Sequence, residues 1–380
     1  PRDEVSTGRR VAIGEMLAEA SGAKLINWSI ALEDGVVALL RYTLDLRGGG
    51  VMPDSAELDA RLERMVRGWQ PAVEAALAEA VGQRSTRLTL RYANAFPPAY
   101  RATSQPDEAA RDILRIATLK SPGDRSVRIC PHPDKPGEYR IKLYRLGGAL
   151  ALSDAVPVFE NFGFRVIDEV PTRLIGDGGA YIHDFEVALA GGSAPVLTRD
   201  PGLVEDAIAA VLEGNAENDA FNRLIVETGM RPASVVLFRA WFRYLRQTGL
   251  TYGMVTVVDA LRRAPVVAAA LIDRFAAAHD PARQGMADAV EAATLAIDAG
   301  LDNVQAIDDD RILRALRGVV VATLRTNAFA PAAQEALAFK LDSAQVPNLP
   351  RPLPWREIWV YSPRVEGIHL RAGPVARGGL

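Results

Sequence analysis

At 380 residues, 49% hydrophobic and 24% charged, the chain has a globular composition and is too long for one ordinary core, so length alone suggests two or three domains. A net charge of −3 gives no cause for nucleic acid or an anionic membrane as partner, no apolar run reaches transmembrane length, and residues 1–10 are too charged for a signal peptide. The single cysteine, Cys130, excludes an internal disulfide or a cysteine-rich metal cluster and fits a reducing cytoplasm, while His132, His183, His279 and His369 lie far apart without metal-ligand spacing.

The first apolar pattern covers residues 7–20, where Ile13, Met16, Leu17 and Ala20 recur at helical spacing and Gly22 supplies a stop. Residues 24–32 read as a strand and Asp34-Gly35 as a tight turn. In the next strand Val36, Ala38, Leu40, Tyr42, Leu44 and Leu46 share one face, with Arg41, Thr43 and Asp45 on the other. After the Gly48-Gly49-Gly50 loop, Leu58, Leu62, Met65, Val66 and Trp69 mark a long helix that Pro71 must kink or break near Trp69. Helix, strand, strand, helix is the middle of a ferredoxin-like βαββαβ unit, whose first strand is expected before Pro1. Pro1 is not an initiator methionine, so the front reads as a cut.

Residues 84–118 read as two short helices around Phe96-Pro97-Pro98, a connector. The α+β pattern then returns, with strands at 126–130, 139–144, 164–170 and 181–189 and helices at 152–162 and 202–212. From 215 to about 327 the chain is almost entirely helical: Phe238, Trp241, Phe242 and Leu245 form an apolar stripe with Arg239, Arg243 and Arg246 beside it. Asp308, Asp309 and Asp310 open a helix running from 311 to 326, where the helix dipole favours negative charge. Residues 328–354, rich in proline and alanine, hold a short strand around Phe339. Last come a strand in which Ile358 and Val360 alternate with Trp359 and Tyr361, a stop at Pro363, and a second extended segment at 365–370.

Dinucleotide chemistry needs G-x-G-x-x-G after a strand, and neither that spacing nor a G-K-[ST] loop occurs. His183 beside Asp184 suggests a catalytic pair, but neighbouring strand residues face opposite ways, so Asp184 cannot orient His183 and a satisfied core histidine is expected. His369 has no neighbouring base or nucleophile and reads as structural. The Arg239, Arg243, Arg246 row reads as a solvated face or as salt bridges to a neighbouring element, and Glu217-Asn218-Asp219 as a cap for the next helix. Near the end, Arg371, Gly373, Pro374, Arg377, Gly378 and Gly379 set arginines among glycines, where a backbone can approach an anion that a guanidinium clamps. The chain then stops at Leu380 without a closing element, which reads as a second cut.

Residues 361–380, YSPRVEGIHLRAGPVARGGL, resemble the lead-in to the catalytic domain of the large NAD-specific glutamate dehydrogenases. The comparable turn of the wider family reads roughly A-R-G-P-x-K-G-G-I-R, and its lysine holds a carboxylate of glutamate. Arg377 stands at that lysine's place, so the resemblance implies substrate binding by Arg377, Gly378 and Gly379, with arginine keeping the charge but changing reach and geometry. STGRRVAIGEML, RYANAFPPAY, LSDAVPVFENFGFRVIDE, YIHDF, NAENDAFNRL, RILRALRGVVVATLRTN and FKLDS carry the likeness along nearly the whole chain.

The resulting expectation is an α+β chain of tandem ferredoxin-like, ACT-like modules, then an all-helical connector and the first strands of a dehydrogenase catalytic domain. Its boundaries are 1–82 for the first module, 83–122 for a helical connector, 123–214 for the second module, 215–330 for a helical bundle and 331–380 for the truncated catalytic domain. The resemblance implies a cytoplasmic, homo-oligomeric enzyme that converts glutamate to 2-oxoglutarate with NAD, whose catalytic residues and NAD domain lie beyond Leu380. The two modules are expected to bind a small amino-acid effector or to pack against partner subunits along exposed sheet edges. No catalytic, cofactor-binding or metal residue is expected within the segment. The rival reading is a stand-alone amino-acid-sensing or oligomerisation scaffold.

Overall fold

The computed structural model describes residues 5–32, 38–66, 68–176, 179–191, 194–283 and 287–375, and the chain divides into two units, Pro1–Thr118 with Thr172–Gly179, and Leu119–Pro171 with Ala180–Leu380.

In the first unit α1 (Thr7–Ser21) starts where the Ser6 side chain accepts from the Arg9 amide, and ends at Gly22 in the left-handed conformation that its missing Cβ makes cheap. The antiparallel hairpin of β1 (Lys24–Leu32) and β2 (Ala38–Asp45) follows, and half-buried and exposed residues alternate from Ala38 to Thr43. The helix lies close to the hairpin at Gly14, where an added Cβ would sit 3.1 Å from Leu25 and 3.2 Å from Tyr42. The predicted long helix is two, α2 (Ser55–Val66) and α3 (Trp69–Val81). Pro71 sits in the first turn of α3, where its missing N–H costs nothing, so the break comes before the proline. Three helices rather than two make the connector: α4 (Ser85–Tyr92), α5 (Pro98–Thr103) and α6 (Pro106–Ile116). Trp69, Phe96 and Tyr100 hold it together edge to face, and the Trp69 indole donates to the Ala93 carbonyl at 2.8 Å.

The second unit opens with β3 (Ser126–Pro131) and β4 (Glu138–Arg145), followed by α7 (Leu152–Asn161), β5 (Phe164–Arg173), β6 (Tyr181–Leu189), α8 (Pro195–Arg199) and α9 (Pro201–Leu212). The sheet order is β3-β4-β6-β5, and the described ladders are antiparallel. That is the sheet order of a ferredoxin-like βαββαβ unit with its last strand moved to the front, which α9 makes possible by packing back on β3.

The helical layer follows: α10 (Arg223–Thr228), α11 (Pro232–Gln247), α12 (Met254–Arg263), α13 (Pro265–His279), α14 (Ala287–Leu301) and α15 (Ile307–Ala322). Pro232 and Pro265 open their helices, a place suited to a residue without an N–H, and the three aspartates occupy the first turn of α15. The helix predicted to reach 326 stops at Ala322. Residues Thr323–Thr326 form β7 instead, because they find ladder partners in β8 (Leu337–Leu341). With β9 (Arg356–Tyr361) and β10 (Glu366–Arg371) they make an antiparallel sheet ordered β10-β9-β8-β7. Gly318 on α15 lets the chain cross at Pro347, whose Cδ would lie 2.4 Å from an added Cβ. A continuous core runs from Val127 and Phe185 under the first sheet, through Trp241 and Phe275 in the helices, to Phe339, Trp359 and Tyr361 under the last. No helix among the described residues is long and apolar enough to cross a membrane.

Candidate functional site

The described chain approaches the predicted anion-binding turn through the β9–β10 hairpin; Arg377, Gly378 and Gly379 themselves lie outside the described residues. The Ser362 amide donates to the Val365 carbonyl at 2.9 Å and closes the hairpin, and the Arg371 guanidinium donates to the Pro374 carbonyl at 3.3 Å. β10 is an edge strand with no fully buried residue, so β9 and its neighbours set the hairpin's position.

Every inward side chain of β9 is hydrogen-bonded to α11 or to the loop before α10. The Tyr244 hydroxyl donates to the buried Glu357 carboxylate. The Trp359 indole donates to the Ala240 carbonyl at 3.1 Å. The Tyr361 hydroxyl donates to Glu217. Glu217 in turn lies 3.5 Å from the Nε of Arg239, which is 3% exposed and makes a two-pronged pair with Asp219 at 2.7 and 2.9 Å. Asp219 also accepts from the Phe221 amide, so it caps the next turn and holds the arginine at once. At the other end of α11, Arg243 pairs with Glu366 of β10 at 3.1 Å, and Gln247 donates to the same carboxylate at 3.2 Å.

Burial alone would weaken the Arg239 charge, but the Asp219 and Glu217 carboxylates outweigh it and hold the guanidinium more firmly protonated than usual. Burial, reinforced by Glu217, pushes the Tyr361 hydroxyl up, and burial with Glu357 does the same to Tyr244. Both phenols therefore stay neutral donors. Burial also raises the Glu357 carboxyl, against the opposing pull of the Tyr244 hydrogen bond.

Of the expected site residues, Arg243 and Arg246 border a cleft of about 420 Å³ with Phe242, Gln247, Met254 and Glu366, while Arg239 turns into the core. The solvated-face reading thus holds for Arg246, and the salt-bridge reading for Arg239 and Arg243. His183 is a satisfied core histidine: its Nδ1 meets Glu169 of β5 at 2.8 Å and its Nε2 accepts from the Leu150 amide at 3.0 Å. Asp184 faces the other way and pairs with Arg140. His369 is exposed on β10. Among the described residues no group of histidine, cysteine and carboxylate side chains is placed to hold a metal. Nor do the described elements offer a dinucleotide cradle: Gly147-Gly148 lies between β4 and α7 of an antiparallel sheet, and Pro122 packs 3.2 Å from where a Cβ of Gly147 would stand. The links of β9 to Tyr244 and Glu217 escape sequence reasoning. The one signal that could have found them is that Glu357, Trp359 and Tyr361 share a face.

Comparison with known proteins places five family models along the chain. The glutamate dehydrogenase ACT2 domain matches residues 1–70, helical motif 2 matches 76–119, the ACT3 domain 129–199 and helical motif 3 216–281. The bacterial NAD-glutamate dehydrogenase catalytic domain matches 296–380. Among curated relatives, the NAD-specific glutamate dehydrogenase of Pseudomonas aeruginosa is 34% identical over 394 residues and that of Halomonas elongata 34% over 388. That of Mycobacterium tuberculosis is 32% identical over 414. Each alignment covers 100% of this chain but only 24–25% of the relative, so the chain spans about a quarter of their length.

Proposed function

The chain belongs to the bacterial NAD-specific glutamate dehydrogenases, and from that premise we propose that it is the regulatory and connecting part of such an enzyme, leading into its glutamate-binding turn. The parent reaction is the oxidation of L-glutamate by NAD and water to 2-oxoglutarate, ammonia and NADH. The described residues form antiparallel sheets and helices with no dinucleotide cradle, and in this reading the hydride step belongs to other residues of the parent. The observation that carries the reading is the run of α+β module, helices, α+β module, helical layer and latched β9–β10 hairpin, in the order of the five family matches. In this reading Arg377 grips a glutamate carboxylate while Gly378 and Gly379 allow close backbone approach. The enzyme works in the cytoplasm as a homo-oligomer, and the ACT-type modules answer to a small effector.

Arg377→Ala in the full-length dehydrogenase tests it. Removing a charged partner from a desolvated site costs roughly 2–4 kcal/mol, so kcat/KM for glutamate should fall about 30- to 1000-fold. NAD affinity and melting temperature should stay near normal, and Arg377→Lys should recover part of the loss. Unchanged kinetics with early melting would make Arg377 structural.

A further inference from the structure

We infer that the cavity between the α11–α12 loop, α15 and the β8–β9 link is a binding site for a small organic dianion, a dicarboxylate or a phosphate monoester, held by Arg311 and Arg314. The cavity has a volume of about 410 Å³, a size that takes small molecules, and the residues lining it all belong to the second unit. Arg311 and Arg314 stand three positions apart on α15, so they rise from one face of the helix, and both line the cavity. Their ion pairs leave the terminal nitrogens open. Arg314 gives only its Nε to the two oxygens of Asp310, at 2.8 and 2.9 Å. Arg311 lies 3.9 Å from Asp308, too far for a hydrogen bond, and Asp308 already accepts from the Tyr252 hydroxyl at 2.7 Å. The two terminal nitrogens of a guanidinium form the fork that grips an oxyanion at two points, and two such forks at one cavity suit two negative charges. Exposed ion pairs of this kind contribute little, so an incoming anion displaces little.

The backbone around the cavity is held from two sides. The β8–β9 link crosses α15 at Gly318, one turn beyond Arg314, where the missing Cβ admits Pro347. Asn348 follows with φ at 59°, and among the described residues it is the one non-glycine residue with a positive φ. Pro347 and Asn348 both line the cavity, and backbone in this sparsely populated region collects at ligand clamps. On the opposite wall Gly249 takes φ 100°, and the Tyr252 bond to Asp308 ties that loop to α15. The Thr251 hydroxyl and the Asn348 amide, which bond to no other side chain among the described residues, add neutral donors at the rim. Leu245, Ala315 and Pro347 supply an apolar lining for a carbon skeleton.

Isothermal titration calorimetry of the 380-residue chain at low ionic strength tests the site, with succinate and glycerol 3-phosphate as the two dianions and propionate as the singly charged control. We expect at least one dianion to bind, the one that does naming the class, and propionate to bind about tenfold more weakly or worse. Arg311→Gln and Arg314→Gln should each weaken dianion binding about tenfold or more, with the melting temperature unchanged because both side chains are exposed. Arg246→Gln, at the separate cleft beside α11, and Arg377→Ala should leave binding as it was. Silence from both dianions would overturn the inference, and so would dianion binding that survives both Arg311→Gln and Arg314→Gln or propionate binding of equal strength. Loss of binding on Arg377→Ala alone would place the anion at the end of the chain and overturn it too.

Discussion

The two α+β modules share the order helix, strand, strand, helix, as α1-β1-β2-α2 and α7-β5-β6-α9, and differ in what lies beside the strands. In the second, β6 pairs onward with β4 and β4 with β3, so α7 and α9 cover a four-stranded sheet. Ile141, Leu143, Phe185 and Val187 are fully enclosed there. Among the described residues of the first, β1 and β2 pair only with each other, and Trp28 and Ile30, on the face that meets α1, stay 41% and 39% exposed. A lone hairpin is marginal in water. Its stability here leans on local devices: the Arg10 guanidinium 3.7 Å over the Trp28 ring, and the Tyr42 hydroxyl donating to the Arg10 carbonyl at 2.7 Å. Among the described residues, the same order of elements is enclosed to different depths, four strands lying in the sheet of the second module and two in that of the first.

Core truncation should expose the difference most. Phe185 is fully buried and meets Phe159 edge to face at 4.8 Å, so Phe185→Ala should cost about 3–5 kcal/mol in urea denaturation of the second unit. Trp28→Ala removes a larger ring but mainly forfeits an exposed cation–π contact, so it should cost only about 1 kcal/mol. Equal losses would mean that the first module is as well packed as the second. The smallest effect is one of pH. All four histidines lie in the second unit, and burial, then the Arg274 charge, hold His279 below its ordinary value of 6.5. A depressed pKa contributes stability that is present above the unfolded value and lost as pH falls through the folded one. Lowering the pH through and below 6.5 should therefore weaken the second unit and leave the first unmoved, and His279→Gln should flatten the slope. A slope of equal size in the first unit would contradict this.

What the sequence disclosed was local. The Gly22 stop and the alternation along β2 each depend on a few neighbouring residues, and each stands where expected. The likeness of YSPRVEGIHLRAGPVARGGL and the other motifs to glutamate dehydrogenases likewise agrees with the family matches. What the sequence did not disclose rests on contacts that periodicity cannot register. Residues 323–326 continue a helical pattern but are claimed by β8. Arg239 shares a stripe with the exposed Arg243 and Arg246, yet it is buried because Asp219, 20 residues earlier, folds over it. Glu357 reads as an ordinary strand residue until Tyr244, 113 positions away, donates to it. His183 came out as foreseen because the argument turned on strand geometry, although its actual partners, Glu169 and Leu150, could not be named in advance.

Amide hydrogen exchange on the 380-residue chain compares the two modules directly, together with the strand that the helical layer latches. Exchange reports the free energy of local opening, which is near zero at loose elements and near the global value in core strands. We expect amides of β4, β6 and β9 to exchange together, at least about a hundredfold more slowly (~2.7 kcal/mol) than those of β1 and β2. Equal protection in β1, β2, β4 and β6 would show that the first hairpin closes its own sheet. Rapid exchange in β9 would show that its bonds to Tyr244, Ala240 and Glu217 do not hold it.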